Sequence, residues 1–412
     1  MMKKIVSLAL AAIVVLCVLV SCTPSTGGTV TLYVYNWGEY ISDGSEDSLD
    51  SNAEFEKYCN GNERIQQLTG GKKVKVSYST YASNEDLYAK LESKAVSYDV
   101  VVPSDYMVSR LAKEGLIQKI DVSKIANYEN IDEKFKNLYY DENNEYSVPY
   151  TYGTVGIIYN TKKVEPKDVI DKSWSLMWNE NYSGNILQFN NPRDAFGTAH
   201  FYQGTSSNST NPDDWKNAQE LLKKQKAIVQ GYVMDEIFNK MKSGSAAVGV
   251  YYAGDFFTMY EDNEDLDFYY PKEGTNVFVD ALCVPSNSKN PELALEYINF
   301  MLSEDIAIAN AEAICYASPN KLVYENEDYK EAMAELHENA IDILYGYDDT
   351  KMEYFHDLPD DTRDLMNTLW EELKIENEKG YAIYIICAVI LAAAIVIVVI
   401  TVVKKKKKAR SY

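Results

Sequence analysis

The sequence predicts an α/β protein whose sheets are mostly parallel and carry helices on both faces. Short apolar runs typical of strands alternate with longer segments in which apolar residues recur every three to four positions, as in amphipathic helices. Several strand-like runs are apolar throughout, which parallel sheets covered on both faces require. The length is ample for two lobes with independent cores.

The first 21 residues are expected to be a lipoprotein signal peptide outside the fold. Lys3 and Lys4 precede an uncharged apolar run over residues 5–20, and Cys22 follows shortly after. This arrangement is similar to a bacterial lipoprotein signal, in which cleavage precedes the cysteine and its thiol is lipidated. The run is short for a membrane span, which needs about 20 apolar residues. We therefore expect a lipid anchor at Cys22 and a flexible tether over 22–28.

The strands and helices are predicted from their apolar period. The predicted strands are LYVYNW at 32–37, KVKVSYS at 73–79, YDVVVPS at 98–104, YSVPYTYGTVGIIYN at 146–160, GNILQFN at 184–190, AAVGVYY at 246–252, LDFYYP at 266–271 and NVFVDALCVP at 276–285. The predicted helices cover 85–95, 105–115, 213–226, 235–244 and 290–304. Their order predicts mostly parallel connections.

Three strand-like runs end on polar or small residues immediately before a helical pattern. They are VVVPSDYMVSRL at 100–111, ILQFNNPRDAFGTA at 186–199 and VGVYYAGDFFTMY at 248–260. Ligands of open α/β sheets bind beyond the carboxyl ends of the strands, near helix N-termini. Each junction is therefore a predicted wall of a site, and ordinary helix capping is the alternative.

Composition and motifs exclude several classes of function. The net charge of −22 argues against a nucleic-acid partner and favours cationic ones. The sequence lacks the nucleophile elbow, the zinc-protease motif and the phosphate-binding loop, and His200, His337 and His356 are too scattered for a metal cluster or a triad. We therefore expect no enzyme activity, no cofactor and no metal.

The cysteines do not form a pattern either. Cys59, Cys283 and Cys315 are too widely spaced for a disulfide framework or a zinc site. Cys283 and Cys315 lie in apolar surroundings, so we expect buried thiols.

Ordered motifs along the chain resemble the spermidine/putrescine-binding proteins of bacterial polyamine ABC transporters. They are YVYNWGEYI, YSTYASNEDLYAKL, YDVVVPSDYMVSRLAKEGLIQKID, YSVPYTYGTVGIIYN, VDALCVP, LALEYINFML and AICYASPN, within residues 30–375. The resemblance implies a two-lobed type II periplasmic-binding-protein fold with the ligand in the cleft between the lobes. It implies lobe 1 at 29–147, lobe 2 at 148–280, a return to lobe 1 at 281–345 and a helical region across both lobes at 346–380.

A polyamine is a flexible chain of methylenes with two or more ammonium groups. A selective pocket therefore needs carboxylates for the ammoniums and aromatic walls for the methylenes. Aromatic faces also attract cations, by up to about 2 kcal/mol where water is excluded.

The resemblance assigns ligand-binding residues to both lobes. From the first lobe it implies Trp37, Glu39, Tyr40, Ser104 and Tyr106, and from the second lobe and the connecting strands Asn191, Asp194, Tyr252, Phe278, Asp280 and Tyr316. Asp280 is the strongest of these, because a charge inside an apolar strand is costly unless it meets a cation. The alternative for Asp280 is an internal ion pair with a lysine or an arginine.

Some positions depart from the family pattern. Gly38 stands where a small hydroxyl residue is often found, and Asn191 replaces an acidic residue. Tyr252 and Phe278 replace tryptophans, which keeps an aromatic face but reduces its size. The departures leave the preference between spermidine and putrescine open.

Two further segments are not shared with the family. Residues 42–53 are an extra polar stretch, which we expect to be a surface loop. Residues 381–403 carry no charge and are long enough to cross a bilayer core of about 30 Å. The basic residues at 404–412 place this tail in the cytoplasm. The fold is then held on the outer face of the cell membrane.

Together these features predict an extracytoplasmic receptor that binds a polyamine and delivers it to the permease of an ABC transporter. The first alternative is a receptor for another cationic or amino-sugar solute, favoured by Asn191, Tyr252 and Phe278. The second is a surface signalling or adhesion ectodomain, favoured by the predicted C-terminal span.

Overall fold

The computed structural model describes residues 28–45, 48–346 and 351–375. The predicted signal peptide, Cys22, the predicted span at 381–403 and the basic tail lie outside these residues. Within the described ranges, no helix combines the length and the apolar character needed to cross a membrane.

The strands follow the predicted order closely. They are β1 (Thr29–Trp37), β2 (Lys73–Tyr81), β3 (Val100–Val101), β4 (Ser147–Asn160), β5 (Ile186–Phe189), β6 (Val229–Val233), β7 (Val248–Tyr252), β8 (Leu266–Tyr269), β9 (Thr275–Cys283) and β10 (Met352–Tyr354). Every predicted strand is present, although β3 is much shorter than predicted. The sequence analysis missed β6 and β10, whose residues are largely half-exposed and give no continuous apolar run.

The predicted helices are also present, each within a few residues of its expected bounds. The helices are α1 (Ser51–Gly61), α2 (Glu63–Leu68), α3 (Asn84–Glu92), α4 (Asp105–Lys113), α5 (Pro166–Val169), α6 (Pro192–Gln203), α7 (Pro212–Lys226), α8 (Glu236–Lys242), α9 (Ala253–Asp262), α10 (Pro291–Met301), α11 (Glu304–Ile314), α12 (Lys321–Glu325), α13 (Glu327–Leu336) and α14 (Ala340–Tyr345). Residues 360–375 are helical as well.

Two groups of strands define two lobes. In the first lobe, β2, β1 and β3 pair in parallel, and β3 pairs antiparallel with β9. In the second lobe, β7, β5 and β6 pair in parallel, while β7 and β8 pair antiparallel with β4. The expectation of mostly parallel sheets is wrong for the long strand β4, which pairs antiparallel with β7, β8 and β9. The strand β9 is mixed, since it pairs antiparallel with β3 and β4 and in parallel with β10.

The long strand β4 passes from one lobe to the other. Residues 147–154 of β4 pair with β9, and residues 155–160 pair with β7 and β8. The register of the β4–β9 pair shifts between Pro149 and Thr151, opposite Ala281 and Asp280. Side chains of β4 and β9 near this shift therefore lie between the lobes.

The extra segment at 42–53 is anchored at both ends, while residues 43–45 are exposed, as expected for a surface loop. The backbone N–H of Ser42 and the hydroxyl of Ser51 both donate to Oδ1 of Asn310, over 3.0 and 2.9 Å. Both serines are buried. Ser51 also begins α1, because the side chain of Asp50 accepts from the N–H of Ala53 and caps the helix.

Cys59, Cys283 and Cys315 are free and buried, as predicted for the last two.

Candidate ligand-binding site

A cavity lies between the two lobes beside the strands that connect them. It contains about 700 Å³ of space between atoms, part of it open to solvent. Its walls include the predicted residues Trp37, Tyr40, Ser104, Tyr106, Asp194, Tyr252, Phe278, Asp280 and Tyr316. The structure thus brings together residues that are as much as 279 positions apart in the sequence, between Trp37 and Tyr316.

The first wall comes from the end of β1. The indole N–H of Trp37 donates to the carbonyl of Val102 over 2.8 Å, and its ring lies 4.7 Å from that of Tyr81. Asn36 is buried, and its side-chain N–H donates to the carbonyl of Tyr40 over 3.3 Å. The turn that follows the strand is therefore tied back onto it, and Trp37 and Tyr40 remain at the cavity.

Asp280 is buried in β9 and lines the cavity. The hydroxyl of Tyr40 donates to its Oδ2 over 2.6 Å, while Oδ1 has no hydrogen-bond partner among the described residues. Burial raises the pKa of Asp280 to about 7, against lowering effects of Ser104 and Tyr40. The internal ion pair that was the alternative for Asp280 is not formed by the described residues, so one carboxylate oxygen is available to a cation.

Asp194 is the carboxylate at the start of α6. Asn191 caps this helix, since its Oδ1 accepts from the backbone N–H of Asp194 over 2.8 Å. The side-chain N–H of Asn191 and the hydroxyl of Tyr252 both donate to Oδ2 of Asp194, over 2.7 and 2.9 Å. Burial raises the pKa of Asp194, and these hydrogen bonds and the charge of Arg193 lower it.

Asp255, at the start of α9, is a buried carboxylate that the sequence analysis did not assign. The hydroxyl of Tyr316 donates to its Oδ2 over 2.9 Å. Burial raises the pKa of Asp255 to about 8, with smaller raising effects of Asp235 and Glu39. The preceding Gly254 lets the Tyr316 ring pack directly on the helix, because a β-carbon there would lie 2.2 Å from a ring atom.

Each of these carboxylates is held by a tyrosine, and they fall into two groups. Asp194 raises the pKa of Asp280, whereas Asp235 and Glu39 raise the pKa of Asp255. The cavity wall therefore holds two groups of carboxylates that affect each other electrostatically, Asp280 with Asp194 and Asp255 with Asp235, and these groups are called its two acidic ends. More than one carboxylate in one cavity suits a ligand that carries more than one positive charge.

Aromatic rings line the same cavity as the carboxylates. The ring of Phe278 is 5.4 Å from Tyr252 and 6.3 Å from Tyr316, and the ring of Tyr316 is 4.9 Å from Tyr40. Most of these contacts are edge-to-face or tilted, as aromatic pairs prefer. They form an apolar lining that can cover methylene groups.

On the first lobe, α3 and α4 position further polar groups. The side-chain N–H of Asn84 donates to the hydroxyl oxygen of Ser104 over 3.0 Å. The hydroxyl of Tyr106 donates to Glu85 over 3.0 Å. Ser104 and Tyr106 are thereby fixed at the cavity wall.

Arg193 is a buried cation at the cavity wall that the sequence analysis missed. Its guanidinium donates to the carbonyl of Ser207, the side chain of Asn208 and the carbonyl of His356. It also lies 4.3 Å from the centre of the Phe355 ring. Arg193 thus ties the start of α6 to the segment after β10, and burial lowers its pKa.

Two predicted site residues, Glu39 and Asn191, do not line the cavity. Glu39 is exposed, and its φ of 49° in the turn after β1 turns the chain away from the strand direction. Asn191 is used as the cap of α6 and as a donor to Asp194.

The sequence offered weak signals for the missed carboxylates. Asp255 follows Tyr252 by three positions in a strand–helix junction already identified as a wall. Asp235 is the first residue of the predicted helix at 235–244, where capping of the helix is the ordinary explanation. Neither position reveals which side chains share a cavity.

Comparisons with known proteins agree with this architecture. Residues 62–336 match the family model described as a bacterial extracellular solute-binding protein. The spermidine/putrescine-binding periplasmic protein of Escherichia coli is 38% identical over 291 residues, covering 70% of this chain and 78% of the relative. The putrescine-binding periplasmic protein of the same organism is 30% identical over 308 residues, covering 71% and 78%.

A solved structure supports the same relationship. The spermidine/putrescine ABC transporter substrate-binding protein of Streptococcus pneumoniae is 29% identical, has a TM-score of 0.63, and covers 84% of this chain and 98% of its own. The predicted two-lobed periplasmic-binding-protein fold is confirmed. With its cavity between the lobes and these relatives, this chain belongs to the family of bacterial extracellular solute-binding proteins.

Proposed function

We propose that this protein is an extracytoplasmic receptor that binds a polyamine, putrescine or spermidine, and delivers it to an ABC permease for uptake. The relatives described above carry names of polyamine-binding proteins. The chemistry of the cavity supports the same ligand class independently.

The observation that carries the proposal is the state of Asp280. A buried carboxylate with one unpartnered oxygen is costly, and an ammonium group entering the cavity would supply the missing charge and hydrogen bond. Asp194 stands at the same end, and Asp255 offers a second buried carboxylate. Two ammoniums joined by methylenes fit these two ends and the aromatic lining of the cavity.

The roles of the individual residues follow from this geometry. Asp280 and Asp194 bind one ammonium and Asp255 binds the other. Phe278, Tyr252 and Tyr316 cover the methylenes, together with Trp37, Tyr40, Ser104 and Tyr106 on the first-lobe side. Asn191 acts indirectly, because it holds the carboxylate of Asp194. Glu39 contributes a negative charge that acts on Asp255, and it does not contact the ligand.

Delivery requires two conformations that the permease can distinguish. The cavity has walls from both lobes, so a ligand that binds both walls stabilises their approach. We place the hinge where β4 and β9 connect the lobes, at the register shift near Pro149 and the opposite Asp280 and Ala281. The lobe boundaries implied by the resemblance are part of this proposal.

The proposed location is the outer face of the cell membrane. It depends on lipidation of Cys22 and on the apolar segment at 381–403. A receptor anchored in this way would keep its cavity outside the cell, next to a permease in the same membrane.

Calorimetric titration of the purified full-length protein tests the ligand class. The expected result is binding of putrescine or spermidine and at least about 100-fold weaker binding of 1-aminobutane, which can occupy only one acidic end. Arginine and an amino sugar test the alternative solutes. Tight binding of one of these, with no response to either polyamine at millimolar concentration, would overturn the proposal.

A further inference from the structure

Asp235 is a carboxylate that lines the cavity. A ligand with two ammonium groups, bound as proposed above, leaves this carboxylate without a role. It directly precedes α8 on the second lobe, it is exposed, and it lines the cavity. The hydroxyl of Tyr251 donates to its Oδ1 over 3.4 Å. No cation among the described residues offsets this charge: burial and Glu236 raise the pKa of Asp235, and only Tyr251 lowers it.

Gly38 of the first lobe lies directly opposite this carboxylate. A β-carbon at Gly38 would lie 2.9 Å from Oδ2 of Asp235, closer than such atoms normally approach. The φ angle of Gly38 is not in the left-handed region, so the backbone alone does not require a glycine. The absence of a side chain at Gly38 therefore lets Asp235 reach the cavity from the other lobe.

Asp235 and Asp255 line the same cavity, and Asp255 is buried whereas Asp235 is exposed. Tyr251, which donates to Asp235, has its ring 4.9 Å from that of Tyr252 in the cavity wall. The charge of Asp235 also raises the pKa of Asp255. A ligand that extends from the buried carboxylates towards the exposed one would bring a further ammonium to Asp235.

We propose that Asp235 binds the third ammonium of a linear triamine such as spermidine, and that it sets the preference of the site for triamines over diamines. This inference rests on the proposed function and extends it to the exposed carboxylate of the second acidic end. The carboxylate that Asn191 lacks is then supplied from another element of the second lobe, and Gly38 provides the room for it.

Asp235→Asn in the full-length protein tests the inference by calorimetry. Spermidine affinity should fall roughly fivefold, as for a partly exposed ion pair, and putrescine affinity should stay within twofold. The matched control is Glu236→Gln, which removes one negative charge at the adjacent residue that does not line the cavity. Both affinities should stay within twofold in this control.

The contact with Gly38 gives a second, independent test. Gly38→Ala should also weaken spermidine selectively, because the added methyl group displaces the carboxylate of Asp235. In an Asp235→Ala background the same substitution should have no further selective effect, since the displaced group is gone.

Three outcomes would overturn the inference. One is an equal loss for both ligands in Asp235→Asn, another is no loss for either, and the third is a parent protein that binds putrescine and not spermidine. In each case the proposed receptor function stands. A parent protein that binds neither polyamine would instead remove the proposed function itself.

Discussion

The hydroxyl of Tyr40 donates a hydrogen bond of 2.6 Å to one oxygen of Asp280, and the other oxygen of this buried carboxylate has no partner among the described residues. Tyr40 comes from the turn after β1 in the first lobe, and Asp280 belongs to a strand that connects the lobes. The hydrogen bond fixes the orientation of the carboxylate. The free oxygen leaves the carboxylate with only one of its two oxygens hydrogen-bonded.

Asp280→Asn should reduce polyamine affinity by at least about 100-fold, because a desolvated ammonium loses its charged partner. The amide keeps the size of the side chain and can still accept from Tyr40. Calorimetric titration measures the loss. A variant that binds within twofold of the parent would show that Asp280 is not the anchor.

The same substitution should stabilise the ligand-free protein at pH 8. Burial raises the pKa of Asp280 to about 7, so the folded state binds a proton more readily than the unfolded state. The stabilisation by this proton is complete below the unfolded pKa of about 4 and is lost as the pH rises through 7. Asparagine removes the cost of the buried charge.

The melting temperature of Asp280→Asn should therefore exceed that of the parent at pH 8 by a few degrees, and the difference should shrink towards pH 4. Thermal unfolding without ligand, followed by circular dichroism, measures both. A lower melting temperature at pH 8 would contradict the prediction.

Polyamine affinity should fall as the pH is lowered from 8 to 6. The pKa of Asp255 is raised to about 8 and that of Asp280 to about 7, so both carboxyls are largely protonated at pH 6. The ligand ammoniums stay charged over this range, because amine pKa values are about 10. Binding must then release protons from these carboxyls. For each proton released, the affinity falls by up to about tenfold when the pH is lowered by one unit.

Titrations in buffers of different ionisation enthalpy measure the number of protons released. Asp280→Asn serves as the comparison, since it should release fewer protons than the parent. An affinity that is the same at pH 6 and pH 8 would show that the carboxyls are already ionised.

Gly254→Ala should weaken binding by an order of magnitude or more. The added methyl group would lie 2.2 Å from a ring atom of Tyr316, so the ring must move and its hydrogen bond to Asp255 is lost. Gly61→Ala is the matched control, because a β-carbon there meets nothing within 4 Å. Equal affinities of the two variants would contradict the packing argument.

Asn191→Asp should lower stability without improving spermidine binding. The present amide donates to Asp194 over 2.7 Å, and a carboxylate would replace this hydrogen bond by repulsion between like charges. The position does not line the cavity, so the added carboxylate gains no ammonium partner. Thermal unfolding measures the expected loss of stability, and calorimetric titration measures spermidine affinity. A clear gain in spermidine affinity would contradict the prediction.

Much of the fold could be predicted, because it is encoded in local patterns. The apolar runs of β1, β4, β7 and β9 are long and bounded by turns, and each gives its strand directly. Strands β6 and β10 escaped prediction because their residues are half-exposed and their pairing partners are distant in the sequence. The direction of β4 relative to β9 also depends on pairing over more than a hundred residues.

The same division applies to the site. Asp280 could be identified because a charge in an apolar strand requires an explanation wherever the strand lies. The sequence did not show that Asn191 caps a helix, since a cap and a ligand contact are alternative uses of the same position. Asp255 and Asp235 look like ordinary first residues of helices until the structure places them beside Tyr316 and Gly38.

By itself the sequence determined the strand and helix types, the class of protein and the position of Asp280, a carboxylate inside an apolar strand. These depend on local apolar period, ordered motifs and the cost of an unpaired charge. Only the tertiary structure decided which carboxylates form the two ends of the cavity and how closely the lobes approach at Gly38 and Asp235. Those relationships are distances between residues far apart in the chain, which local sequence does not constrain.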